Sequence, residues 1–138
     1  MNSLLLILFT ALFQVNHSGP KLFDALPNVI HIEASNMGAL LTNENVGSKI
    51  TMNTQETVPL KVELFNYTKW NAEEKTVAYK LLGYPEGTHL IINIAIRNNQ
   101  TIYRGYIKHM SYADAYTISF TGSELILTKT ELEHIVVE

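Results

Sequence analysis

From residue 29 onward the apolar positions recur with period two, the spacing that puts alternate side chains on one face of a strand. Leu90, Ile92, Ile94 and Ile96 share one face, with Ile91, Asn93, Ala95 and Arg97 on the other. Val58, Leu60, Val62 and Leu64 repeat the pattern against Thr57, Lys61 and Glu63. Pro59 has no N–H to give a ladder, which predicts an edge position for that strand, or pairing on one side only at that point. Further strands are predicted over 77–81, 102–109, 116–120 and 125–127, with weaker ones over 29–33 and 49–53. The tail over 131–137 reads as a last strand or one helical turn, and the β-branched Ile135, Val136 and Val137 favour the strand.

Turn chemistry separates these segments. Asn98-Asn99 joins two strong strands, and Asn tolerates the positive φ of a two-residue hairpin. Tyr84-Pro85-Glu86-Gly87 and Thr121-Gly122-Ser123-Glu124 are tight turns, and 43–47 a looser one. Residues 70–75 read as a single helical turn with Asn71 as its cap. Short strands, turns every 8–12 residues and no long helical period predict an all-β fold. The expected form is an antiparallel sandwich of about 7–9 strands, with a closed β-barrel as the alternative. Unbroken rows of branched side chains suit a solid core better than a ligand cavity, which favours the sandwich.

The N-terminus breaks the pattern. Residues 4–13 are apolar apart from Thr10, and polar residues with a Gly-Pro pair follow at once. A bilayer span takes about 20 apolar residues, whereas a signal-peptide core is this short. The expectation is a signal peptide over 1–18 and a secreted, extracellular, single all-β domain over 19–138. No Lys or Arg precedes the run, and a cut after Ser18 or Gly19 leaves Asn16 or His17 two residues upstream. There is no second long apolar run, so no membrane span is expected in the mature chain.

The chain has no cysteine, so packing and backbone pairing must hold such a domain. Thiol catalysis, zinc fingers and disulfide scaffolds are excluded. With 10 basic and 13 acidic residues, a net charge of −3 and no basic stripe, nothing matches nucleic acid. The oligomeric state stays open.

Chemical motifs are sparse. The five histidines stand at no metal-ligand spacing, and neither an HExxH run nor a Gly-x-Ser-x-Gly elbow occurs. Glu73-Glu74 and Glu131-x-Glu133 place carboxylates side by side, where acid–base work needs them opposed across a cleft. No catalytic residue, metal or cofactor is expected. Asn66-Tyr67-Thr68 and Asn99-Gln100-Thr101 are glycosylation sequons, and the second sits at a hairpin tip. A third, at Asn16, falls at the predicted cleavage site. Residues 103–116 hold four of the seven tyrosines among Arg104, Lys108 and His109. Alternation places Arg104, Tyr106 and Lys108 on one face, the candidate binding patch, because Tyr and Arg join large contact area to a polar end. If Asn98 and Asn99 form the turn, Arg97 opposes Gln100, Ala95 opposes Ile102 and Asn93 opposes Arg104. The polar residues of both strands then share a side, and Tyr103 and Ile107 turn to the core.

Three segments resemble the small secreted arthropod proteins of the multiprotein-bridging-factor-two family. Gly38-Ala-Leu-Leu41 stands where that family has a Gly-Asp-x-Leu-like opening, Leu90-Ile-Ile-Asn-Ile-Ala-Ile96 resembles its Ile-rich strand, and Tyr116-Thr-Ile-Ser-Phe120 resembles its Val-Thr-Ile-x-Phe strand. Ser111-Tyr-Ala-Asp114 replaces the family's Gly-rich turn, and residues 66–87 are an insertion. The resemblance implies a secreted β protein and transfers no catalytic residue. The expected function is a non-catalytic binding protein with an extracellular protein or glycan as partner. A lipid or small-ligand carrier barrel is the alternative. A hydrolase would have to draw a dispersed site from His31, His89 or His109 with Asp24, Asp114 or a glutamate.

Overall fold

The computed structural model describes residues 19–121 and 124–135, so the signal peptide expected over 1–18 lies outside it. The elements are β1 (Val29–Ile32), α1 (Ala34–Thr42), β2 (Lys49–Met52), β3 (Leu60–Asn71), β4 (Glu74–Leu81), β5 (His89–Arg97), β6 (Gln100–Lys108), β7 (Asp114–Phe120), β8 (Leu125–Glu131) and a 3₁₀ turn (Leu132–His134). Strands β2 to β8 pair in chain order, each antiparallel to the next, and β1 adds to the free edge of β8. One eight-stranded sheet results, and it curls until its edges nearly meet. Ile32 bridges Thr54, the Glu33 amide donates to the Asn53 carbonyl at 3.0 Å, and the Gln55 amide donates to the His31 carbonyl at 3.3 Å.

The all-β antiparallel architecture follows the period-two pattern. A single nearly closed sheet corresponds to the barrel rather than to two facing sheets. Every strand from β2 on pairs with its sequence neighbour, so no connection carries the chain across to a second layer.

One face of every strand fills the inside. Val62, Val77, Ile92 and Ile30 are fully buried there, from four different strands. Eight strands enclose a space just wide enough for side chains to fill. Two tyrosines bring hydroxyls into this core and both find acceptors: Tyr79 donates to the Leu40 carbonyl and Tyr116 to the Pro27 carbonyl, each at 2.5 Å. Burial pushes the Tyr79 hydroxyl up to about 12 and the Tyr116 hydroxyl upward too. Among the described residues no buried side-chain polar atom lacks a partner.

The lead-in before β1 is strapped to the barrel. The Asp114 carboxylate accepts the Leu22 and Phe23 amides at 2.6 and 2.9 Å, and the Lys129 ammonium donates to the Phe23 and Leu26 carbonyls at 2.7 and 2.6 Å. Phe23 is thereby held in the core against Tyr116, with ring centroids 5.2 Å apart.

Four expectations change. β3 begins at Leu60 and lies between β2 and β4, so it is not an edge strand. Pro59 falls outside the ladder and Val58 is 72% exposed. Residues 70–75 form a hairpin, not a helical turn: the Asn71 carboxamide oxygen accepts the Glu73 amide at 2.8 Å, so the side chain expected to cap a helix instead closes the turn. The tail is a 3₁₀ turn over Leu132–His134 rather than a strand, closed by the Ile135 amide on the Leu132 carbonyl at 3.1 Å; Val136 and Val137 lie outside the described residues. Finally, α1 was not expected: Met37, Leu40 and Leu41 stand at helical spacing, but the segment is only nine residues long and contains Gly38. Burial of Leu40 and the bond from Tyr79 hold it, so tertiary packing outweighs its weak propensity.

A candidate binding groove on the outer face

The β5–β6 hairpin builds the centre of the outer face. Asn98 and Asn99 take φ of 53° and 60°, the two-residue turn of the sequence pattern. Its register follows: Arg97 opposes Gln100, Ala95 opposes Ile102, Ile94 opposes Tyr103 and Asn93 opposes Arg104. The rows continue across the barrel. Asn93 is opposite Thr76 of β4, and Thr76 is opposite Thr68 of β3. Ile91 lies between Ala78 and Tyr106, and Tyr106 opposes Thr117 of β7.

These rows line a groove of about 590 Å³, within the range of small-molecule sites. Trp70, Glu74 and Thr76 form one wall, Ile102, Arg104, Tyr106 and Thr117 the other, with Ile91, Asn93, Ala95 and Arg97 between them and His134 and Ile135 also lining it. The small, buried Ala95 keeps the floor low. Gly105 opposes the core residue Ile92, and a Cβ there would stand on the inner side, 2.5 Å from the Ile91 carbonyl oxygen and 2.9 Å from Ile118 Cδ1.

A hydrogen-bonded chain orders the first wall. Trp70 Nε1 donates to Thr76 Oγ1 at 2.9 Å. Asn93 Nδ2 donates to the same oxygen at 3.1 Å and to Glu74 Oε1 at 3.2 Å. Arg97 donates to Glu74 Oε2 at 3.2 Å. The indole is fixed by this network yet 63% exposed, and it is the chain's single tryptophan.

The three patch residues stand together. Arg104 and Tyr106 line the groove, and the Lys108 ammonium lies 4.5 Å over the Tyr106 ring, outside the groove lining. Tyr106 is half-buried rather than open, and burial raises its hydroxyl pKa. Ile107 is buried, whereas Tyr103 is only half-buried, its ring 4.2 Å from that of Phe120. Both sequons are exposed: Asn99 is at the hairpin tip, and Asn66 lies beside Ala78 in the outer row that leads to Ile91 and the groove. The wall of Trp70, Glu74 and Thr76 was hidden in the sequence by the helical reading of 70–75. A hairpin there leaves Trp70 at the register shift between Lys69 and Asn71, from where its indole reaches Thr76.

Among the described residues the histidines sit elsewhere, except His134; His17 lies outside them. His31 Nδ1 pairs with the Glu56 carboxylate at the barrel seam, and the His31 amide donates to Glu56 Oε2 at 2.8 Å. His109 Nδ1 accepts the Ser111 amide at 3.0 Å, so Nε2 carries the hydrogen given to the Glu86 carbonyl at 2.9 Å. His89 lies against Phe65, and burial lowers its pKa. Asp114 is engaged by backbone amides. Glu131, Glu133 and His134 bring ligand atoms within 4.8 Å of one another, but all three are exposed.

Compared with known proteins, the chain matches no family model, no curated protein and no solved structure.

Proposed function

We propose that this is an extracellular, non-catalytic binding protein whose ligand or partner occupies the outer groove. The observation that carries the reading is an exposed indole held in place by a chain of hydrogen bonds, across the groove from Tyr106 and Arg104. An aromatic anchor whose position is fixed before contact loses less conformational entropy on binding. Trp, Tyr and Arg are also the residues that dominate contact energies. The carboxylate in the groove, Glu74, is engaged by Arg97 and Asn93, which suits recognition better than proton transfer. The carrier alternative is disfavoured because the barrel interior is filled by its own side chains. The extracellular assignment rests on residues 1–18 and agrees with the resemblance to small secreted arthropod proteins.

The test is capture from extracellular fluid by protein secreted from animal cells. The native chain should retain a partner, Trp70→Ala should lose it, and Lys61→Ala, an exposed β3 change outside the groove, should keep it. Capture untouched by Trp70→Ala would remove the groove from the function. A product kept in the cell with Met1 intact would remove the extracellular reading.

A further inference from the structure

The outer face carries a second feature, at the end of β4, β5 and β6 away from the Asn98-Asn99 turn. Lys80 opposes His89 and His89 opposes Lys108, so two ammonium groups flank one imidazole in a single cross-strand row. Residues directly opposite have Cβ atoms about 4.5–5.5 Å apart, and like charges so placed destabilise a sheet. Among the described residues no ion pair offsets them: the pairs go to Lys69, Arg97, His31 and His134. Glu63 opposes Lys80 on its other side and Lys49 in turn, yet pairs with neither. The Lys108 ammonium has only the Tyr106 ring under it, at 4.5 Å, which occupies none of its three N–H donors in a hydrogen bond. His89 is half-buried against the Phe65 ring, with centroids 4.7 Å apart. Among the described residues neither of its ring nitrogens has a hydrogen bond.

The charges around the row leave it positive. Around His89 stand Lys80 on β4, Lys108 on β6, and Glu63 and Lys49 beyond Lys80 on β3 and β2. His109 follows β6, and Glu86 lies in the turn before β5, where its carbonyl accepts from His109. Asp114, at the start of β7, gives its carboxylate to the Leu22 and Phe23 amides. Three lysines against two glutamates leave one positive charge with both imidazoles neutral and three with both protonated. Burial first, then His109 and Lys80, holds the His89 pKa below its ordinary 6.5. An anion seated on the ring edge favours the charged imidazole and reverses that balance. Two ammoniums and one imidazolium approach from three sides. A phosphate group offers an oxygen to each of them, where a carboxylate has two in all. Two fixed cations also match its charge of about −1.5 to −2 near neutral pH.

We propose that Lys80, His89 and Lys108 form a binding site for a phosphate group, as the free ion or as a monoester, seated between the two ammoniums on the edge of the His89 ring. None of the three lines the groove, so this site is independent of the groove's function. The His89 Cε1 proton, assigned with His89→Gln, is followed by NMR on the full chain from about pH 5 to 8. Titrations run in chloride and in sulfate at matched ionic strength, so that screening is equal. Sulfate stands in for phosphate here because its own charge stays constant over the range. Sulfate should raise the His89 midpoint by at least about half a unit, roughly threefold in proton affinity, and leave His31 and His134 nearly unmoved. Lys80→Gln, at an exposed position, should remove most of that sulfate–chloride difference. Inorganic phosphate and glycerol phosphate, titrated against the same resonance, separate the two sources. Saturation by both supports a site for the group itself, and saturation by the ester alone a site that also reads what the group is attached to. Equal midpoints in chloride and sulfate, a rise of the same size at His31 and His134, an undiminished difference in Lys80→Gln, or saturation by neither phosphate overturns the proposal.

Discussion

Single positions carry much of the shape. Gly105 is the clearest. It has no special φ, yet the space for a side chain is taken by the Ile91 carbonyl oxygen, which is backbone and cannot rotate away. Gly105→Ala should therefore destabilise by about 3 kcal/mol, the upper end of overpacking costs. Thermal unfolding checks this, and a melting point equal to native would mean β5 and β6 part more easily there than their close approach implies. Nothing in the sequence marks Gly105, because close approach is a property of two strands together. The opposition of Arg104 to Asn93 was legible, because Asn98-Asn99 admits one short hairpin register. The half-burial of Tyr106 was not: alternation assigns a face, but the Lys108 side chain covering the ring is a matter of packing.

At the scale of elements, strands with strong alternation were readable and the pieces between them were not. β5, β6, β7 and β8 lie where period two puts them. The 70–75 hairpin was missed because Asn71 suits a helix cap and a turn equally, and α1 because its helical spacing covers only nine residues and includes the poor helix former Gly38. The barrel seam, where β1 meets residues 53–56, was invisible as well, since it joins distant weak strands. It holds few backbone bonds, and the His31–Glu56 pair reinforces it. The hydrogen bond donated to the Glu56 carboxylate raises the His31 pKa above its ordinary 6.5, so this contribution is complete below 6.5 and is lost as pH rises through the raised value. For Glu56 burial pushes upward, but the His31 amide and ring outweigh it and lower the pKa below 4.5; its contribution is present above 4.5 and lost as pH falls through the lowered value. The tie is thus complete between 4.5 and 6.5. Amide exchange at Glu33 and Gln55, corrected for intrinsic rates, should be slowest near about pH 5.5 and faster above neutrality. His31→Ala should flatten this dependence while Val62 is unaffected. An identical profile in the variant would show that the pair does not hold the seam.

For the whole molecule, the division of labour is between a filled inside and a recognising outside. The all-β class was readable because period two needs no tertiary knowledge. The choice of one nearly closed sheet was not, since the same faces could fill a sandwich. The outer groove gathers residues from β3 to β7, so five strands, with the turns between them, had to be placed first. Ile91 and Ile92 are neighbours in sequence, one in the groove lining and one in the core. This makes the most direct measurement a pair of truncations read for both melting and partner capture, Tyr106→Ala on the outer face and Ile92→Ala inside. Tyr106→Ala should lose capture at a stability cost near 1 kcal/mol, while Ile92→Ala should cost about 2–5 kcal/mol and capture normally below its melting temperature. Loss of capture in folded Ile92→Ala with capture intact in Tyr106→Ala would place the ligand inside the barrel and contradict an outer-face site.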